Sequence, residues 1–320
     1  MPNVTVHLWL AERTLERWAL HYHLSPFPLD SARLCQAFQQ GALAPDLGYF
    51  PGGERFLSDL SHKVRSGTLA RALLAEARAP EERAFAWGWV THVLADRLVH
   101  PIVARGVGGL VTGDPSRFIS GEEDLPGHVR VETGIDAWIS ARYPHLAVTR
   151  LVPLFHHEDG LAFLSRAYRS TYGLRIPGEA LARSYLGMLR MAVGALRSIS
   201  WLARRRDEVE GIPGPLTRPV NRTLGWLARN RIPGALALNY LSPVDPPRWL
   251  QREVQAVAAG FADRVMAVAQ DPREELPDVN LDTGRLVDSE ADHLALPLPR
   301  WANLTPPVLP ALPALTVTES

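Results

Sequence analysis

Residues 81–103, EERAFAWGWVTHVLADRLVHPIV, read as a long helix that is apolar nearly all round. A helix without a polar face belongs in the middle of a fold, so this one is expected to be central. Yet it carries His92, Asp96 and His100. Each step of four residues advances about 40° around a helix and about 6 Å along it. The three side chains therefore form a stripe about 80° wide and about 12 Å long. An aspartate between two histidines is costly to bury without a partner. One zinc takes its ligands at about 2.0–2.2 Å and does not easily span the stripe. A row of ions does, with the central carboxylate bridging and ions about 3.5–4 Å apart, as in catalytic pairs. The alternative is an ordinary set of core residues satisfied by backbone or water.

The rest of the chain repeats the helical period. LWLAERTLERWALHYH places Leu8, Leu15, Trp18 and Tyr22 on one stripe. LDSARLCQAFQQG has Asp30 as its expected N-cap and stops at Gly41. Further helices are expected in GTLARALLAEARA, PGHVRVETGIDAWISARY, LAFLSRAYRSTYG, GEALARSYLGMLRMAVGALRSISWLARRRDEVE, PLTRPVNRTLGWLARN and PPRWLQREVQAVAAGFADRVMAVAQ. Nothing alternates convincingly with period two, so the fold class is all-α. Residues 1–272 are expected to form the helical domain. Residues 273–320, rich in Pro and Leu, are expected to form an extended strap or tail.

Composition narrows the function. The 320 residues are 46% hydrophobic with a net charge of +0, which excludes a generally basic nucleic-acid binder. Lys63 is the only lysine, so arginine serves everywhere and no single arginine marks a phosphate site. One cysteine, Cys35, allows neither a disulfide framework nor a thiolate zinc site, and its apolar helix predicts burial. The first residues lack a basic start followed by an apolar run, so no signal peptide is expected. The stretch YLGMLRMAVGALRSISWLA is interrupted by Arg190 and Arg197 and reads as a core helix. A cytoplasmic location is expected.

A second helix repeats the ligand signal. His128 and Glu132 in GHVRVETGIDAW are again four apart, a standard way to present two ligands to one ion. Asp136 continues the stripe and is expected to orient a ligand. Three more residues fit the set: His7 at the start of the first helix, Asp46 in GALAPDLGYFP, and His62 in SDLSHKVRS. Their plain readings are surface histidines and a turn-forming aspartate. In FHHEDG, adjacent histidines face different ways, and Glu158 and Asp159 suit a helix start. His21, His23, His145 and His293 have no spaced partner.

Taken in order, His7, APD with Asp46, His62, HxxxDxxxH with His92, Asp96 and His100, and HxxxE with His128 and Glu132 resemble the zinc-dependent phospholipases C. That family comprises the all-helical bacterial lecithinases, clostridial alpha-toxins and their relatives. Single-strand-specific fungal nucleases share its fold and its trinuclear zinc site. The resemblance covers roughly residues 1–140. It implies a multi-helix phospholipase C/nuclease-like bundle with two or three Zn²⁺ ions. By resemblance, one ion takes Asp46, His62, His92 and Asp96, and a second takes His100, His128 and Glu132. A third takes His7 and Asp96, with the free N-terminus supplying the remainder in the secreted enzymes. The implied chemistry is attack of an activated water on a phosphodiester, with Asp46 as the catalytic carboxylate that orients the water or takes its proton.

The resemblance implies a phospholipid or other phosphodiester substrate, with contact to a membrane surface. Trp9, Trp18, Tyr49 and Phe50 are candidates for an apolar mouth, or equally for the core. A nuclease or nucleotidase on the same metals is the alternative enzyme, and nucleic acid is the less expected partner. A non-catalytic helical domain held together by its metals is the remaining reading.

Overall fold

The computed structural model describes residues 4–50, 52–148, 151–155, 158–204 and 244–286. The described chain is helical almost throughout, as the periodicity predicts. The helices are α1 (Val4–Leu20), α2 (Ala32–Gly41), α3 (Arg55–Lys63), α4 (Ser66–Glu76), α5 (Pro80–Thr112) and α6 (Leu125–Arg142). They continue with α7 (Ala162–Tyr172), α8 (Gly178–Arg204), α9 (Arg248–Gln270) and the single turn α10 (Pro272–Glu275). No described helix is long and apolar enough to cross a membrane.

Helix α5 is the central element. Residues 84–108 of it are almost all buried, and α1, α2, α4, α6 and α9 pack around it. Pro80 opens it at a position where the missing N–H is not needed. Gly113, with φ of 74°, closes it in the left-handed conformation that suits glycine. Pro101 lies inside the helix and forfeits one backbone hydrogen bond directly after His100.

Two glycines let α2 press onto α5. A Cβ on Gly88 would fall 2.0 Å from the Phe38 carbonyl, and one on Gly41 would fall 2.0 Å from the Phe85 carbonyl. This contact brings the Ala42 carbonyl within reach of the His92 ring at 2.9 Å. Helix α3 is held by α7 in a different way. Tyr168 donates its hydroxyl to Leu57 O (2.9 Å), and Tyr172 donates to Val64 O (2.6 Å).

Several local expectations need correction. The N-cap of α2 is Ser31, whose hydroxyl accepts the Leu34 N–H, and not Asp30. Tyr22 lies beyond the end of α1 and is exposed, because the helix stops at Leu20 before the stripe reaches it. Cys35 is half-buried rather than buried. A two-stranded antiparallel hairpin, β1 (Val279–Asn280) and β2 (Arg285–Leu286), follows α10. It is too short for period-two alternation to reveal. Leu276, Val279 and Leu281 are buried in the helical body. The helix expected in PLTRPVNRTLGWLARN and residues 287–320 lie outside the described residues.

The α2–α5 contact generates a prediction. Gly88→Ala drives a methyl into backbone that cannot rotate away. It should cost about 1–3 kcal/mol of stability, the usual range for overpacking. Urea unfolding measures it. A variant within about 0.5 kcal/mol of wild type, as for a neutral surface site, would show the contact to be loose.

Candidate metal centre

Five elements carry the eight residues singled out in the sequence, and all eight are buried. Helix α1 brings His7, the 3-10 turn Ala44–Gly48 brings Asp46, and α3 brings His62. Helix α5 brings His92, Asp96 and His100, and α6 brings His128 and Glu132. The surface readings of His7 and His62 are therefore excluded.

Asp96 is the hub. Its Oδ1 faces His7 Nε2 at 3.2 Å and His100 Nε2 at 3.6 Å. Its Oδ2 faces His92 Nε2 at 3.1 Å and His62 Nε2 at 3.3 Å. Asp46 Oδ1 joins the second group, 3.2 Å from His62 Nε2. At the other end of the stripe, Glu132 Oε1 lies 3.1 Å from His128 Nε2 and 3.4 Å from His100 Nε2. Three groups of potential ligand atoms result: His7, His92 and Asp96; Asp46, His62 and His92; His100, His128 and Glu132.

The donor set fits a cation better than a hydrogen-bond network. The His62 Nδ1 lies 2.8 Å from the Ser58 carbonyl, and the His92 Nδ1 lies 2.9 Å from the Ala42 carbonyl. A carbonyl only accepts, so each Nδ1 carries a proton and each ring turns its Nε2 inward. Those two Nε2 atoms are 3.2 Å apart, with carboxylate oxygens of Asp46 and Asp96 beside them. Once both Nε2 atoms are bare, four lone pairs converge there with no donor between them. Ligands placed tetrahedrally at zinc–ligand distances of 2.0–2.2 Å stand about 3.3–3.6 Å from one another. The spacings here, 3.1–3.6 Å, match that geometry. Asp46 Oδ2, His7 Nδ1 and His128 Nδ1 are buried with no hydrogen-bond partner among the described residues.

Carbonyls and hydroxyls aim the ligands. Ser58 Oγ donates to Pro45 O (2.6 Å) and accepts the Gly48 N–H (2.8 Å), while Ser61 Oγ also reaches Pro45 O (3.2 Å). These contacts fix the Asp46 turn against α3, which carries His62. Gly121 lies flat on the His128 ring, where a Cβ would stand 3.2 Å from ring atoms. The rings of His7 and His92 stack at 3.9 Å. Asp136 does not touch a ligand ring. It accepts the N–H groups of Thr5 and Val6, both at 3.1 Å, and so holds the first turn of α1 that carries His7. Burial, opposed by those two N–H groups, still raises its pKa to about 8.

Charge is balanced unevenly among these residues. Burial pulls His100 down, but Asp96 and Glu132 overcome it and push its pKa up to about 10. Burial likewise opposes protonation of His62, and the hydrogen bonds it donates to Asp46 and Asp96 carry it well above the ordinary value. His92 is lowered, chiefly by burial. Burial works against Asp96, yet His100, His92 and His7 hold it well below the carboxylate range.

Sequence reasoning missed the groups that complete this surrounding. Leu281, in the hairpin after α10, accepts from the His100 Nδ1 at 2.8 Å and donates its N–H to the His62 carbonyl at 2.7 Å. Lys63 bridges Glu122 (2.8 Å) and Asp282 (3.4 Å) beside them. No motif marks such contacts, because two of them use backbone atoms. Of the aromatic candidates for an apolar mouth, Trp9, Trp18 and Phe50 belong to the core, and Trp18 packs on Phe27, Phe38 and Trp87. Tyr49 is half-buried, 5.2 Å from the His62 ring, with its hydroxyl on Asp59. His145 pairs with Glu12 on the surface, 2.9 Å away. His156, His157 and His293 lie outside the described residues.

A protonated His100 makes metal uptake pH-dependent. With its pKa at about 10, His100 carries a second proton at neutral pH before a metal enters, and zinc needs its Nε2 bare. Uptake should therefore release at least about one proton, measurable by calorimetry in buffers of different ionisation enthalpy. Because this pKa is raised, affinity should keep rising above neutral pH. An affinity that levels off just above the ordinary histidine value of about 6.5 would contradict the protonated His100.

Comparison with known proteins gives one match. No curated protein and no solved structure matches the chain. A family model described as zinc dependent phospholipase C matches residues 6–179, more than half of the sequence and the whole of the eight-residue set. On that match, and with a donor set suited to two or three zinc ions, the chain belongs to the zinc-dependent phospholipase C family.

Proposed function

We propose that this protein hydrolyses phosphodiesters, with a phospholipid headgroup as the favoured substrate class, at a zinc centre built on Asp96. One ion is assigned to Asp46, His62, His92 and Asp96, and a second to His100, His128 and Glu132. A third is assigned to His7 and the other oxygen of Asp96. The observation that carries this reading is the bridging carboxylate, with two histidines against each of its oxygens.

Zinc held by these residues supplies charge neutralisation for a phosphodiester and lowers the pKa of water towards neutrality. The protein's own part is positional. The carbonyls of Ser58, Ala42 and Leu281 lock His62, His92 and His100 in the tautomer that turns Nε2 inward. Asp46 uses Oδ1 on His62 and leaves Oδ2 without a partner among the described residues. To that oxygen we assign the role of orienting a water and taking its proton as the water attacks phosphorus in line. The family to which the chain belongs favours the lipid substrate over single-stranded nucleic acid.

Asp46→Asn keeps the shape and one ligand oxygen but removes the base. It should lower turnover of a generic aryl phosphodiester at least about 100-fold, the lower range for a general base, while most of the metal and the helical signal remain. Turnover near wild type would remove Asp46 from the mechanism. Testing the wild type on a phosphatidylcholine analogue and on single-stranded DNA separates the substrate classes. Preference for the DNA would replace the lipid assignment.

The third ion should be the weakest. A single imidazole and one shared oxygen fall short of the four ligands zinc prefers. His7→Ala should therefore remove one equivalent, as read by elemental analysis, and leave the rest. Loss of every ion together, or of none, would contradict a separate site at His7.

A further inference from the structure

The hairpin after α10 lies outside residues 6–179, the part of the chain that carries the family match. It nevertheless touches two of the candidate ligands. The Leu281 peptide donates to the His62 carbonyl and accepts from the His100 ring, so one residue ties α3 to α5 across the centre. We propose that residues 276–286 are a latch whose Leu281 peptide positions the His100 ring, and so sets how tightly the ion assigned to His100, His128 and Glu132 is held. This rests on the zinc reading above and extends it to a segment with no ligand of its own.

The latch is built rather than loosely draped. Its foot is fixed to α4: Asp278 accepts the Thr68 N–H at 2.7 Å and its hydroxyl at 2.8 Å. Ser66 Oγ donates to Val279 O at 2.7 Å and accepts the Val279 N–H at 3.2 Å. Gly67 permits this approach, since a Cβ there would fall 2.1 Å from the Leu276 carbonyl. The tip is shaped by buried Asn280. Its Oδ1 accepts the Asp282 N–H at 3.0 Å, and its carbonyl accepts the Gly284 N–H at 2.7 Å. Gly284 adopts a φ of 72° to close the turn. Asp282 then meets Lys63, which also holds Glu122 in the loop leading to α6 and His128.

The effect should be unequal across the centre. The rings of His62 and His92 are held by carbonyls of their own, from Ser58 and Ala42. In the His100, His128 and Glu132 group, the His128 Nδ1 has no partner among the described residues. Among the described residues, the carbonyl of Leu281 is thus the one carbonyl that orients a ring in that group. Removing such an outer partner typically weakens a metal site about 10–100-fold.

The test uses the full-length, zinc-loaded protein and follows zinc release to a chromophoric chelator. Asn280→Ala deletes the oxygen that shapes the tip. One equivalent of zinc should leave about 10–100-fold faster than from wild type, with the others unchanged. Asn280→Ser, which retains a turn-forming acceptor, should fall between the two. Circular dichroism confirms that each variant keeps its helices. Wild-type release from folded Asn280→Ala, or equal acceleration of every ion, would overturn the latch. If Asn280→Ala does not fold, the wild type decides. The Leu281 N–H and the His100 Nδ1–H should exchange slowly with solvent in the zinc-loaded protein, and exchange as fast as exposed groups would overturn the proposal. A wild type that takes up no zinc would overturn the underlying zinc reading as well, whereas normal uptake with unaltered variants would overturn only the latch.

Discussion

A single carboxylate, Asp96, organises this structure. It sits buried in the middle of the central helix, with four histidines against its two oxygens. A charge in that position costs too much to bury alone, and the imidazoles against it offset that cost only by carrying a proton or by holding a cation there. The neighbouring helices are arranged to meet that demand. Helix α1 delivers His7, α3 delivers His62, and α6 brings Glu132 to the far end of the stripe. Even the glycines serve it: Gly41 and Gly88 let α2 approach until the Ala42 carbonyl reaches His92.

The centre therefore depends on backbone as much as on side chains. Four helices and a 3-10 turn contribute ligands, while carbonyls from a helix, a helix end and a hairpin fix the rings. Buried structure of this density specifies one tautomer for His62, His92 and His100. It also separates two tasks. The His62, His92 and His100 rings are each held by a backbone carbonyl, whereas Asp46 retains an oxygen without a partner among the described residues, in keeping with the proton-handling role proposed for it.

Much of this was legible in the sequence, because its signals are periodic. The i, i+4 spacing of His92, Asp96 and His100 fixed their common face, and an apolar surround predicted that face to be buried. The same spacing placed His128 and Glu132 together. Asp46 and His62 were harder to place, since one lies in a turn and the other on a short helix, and only the order of residues in a known family joined them to the set. Asp136 acts on a ligand through backbone, which its place on the stripe did not reveal. At one further helical turn it meets the start of α1, the turn that carries His7. The hairpin escaped notice because two-residue strands carry no alternation, and because Leu281 acts through its peptide rather than its side chain. The aromatics near the N-terminus were ambiguous in sequence, and packing settles Trp9, Trp18 and Phe50 as core.

The most direct test of the central claim is anomalous diffraction at the zinc edge from crystals grown with zinc and without chelator. One peak is expected within about 2.2 Å of the Nε2 atoms of His62 and His92 and of Asp96 Oδ2. A second is expected at the same distance from His100 Nε2, His128 Nε2 and Glu132, with Asp96 between the two. Peaks absent from both places, or zinc bound only at surface histidines such as His145, would contradict it.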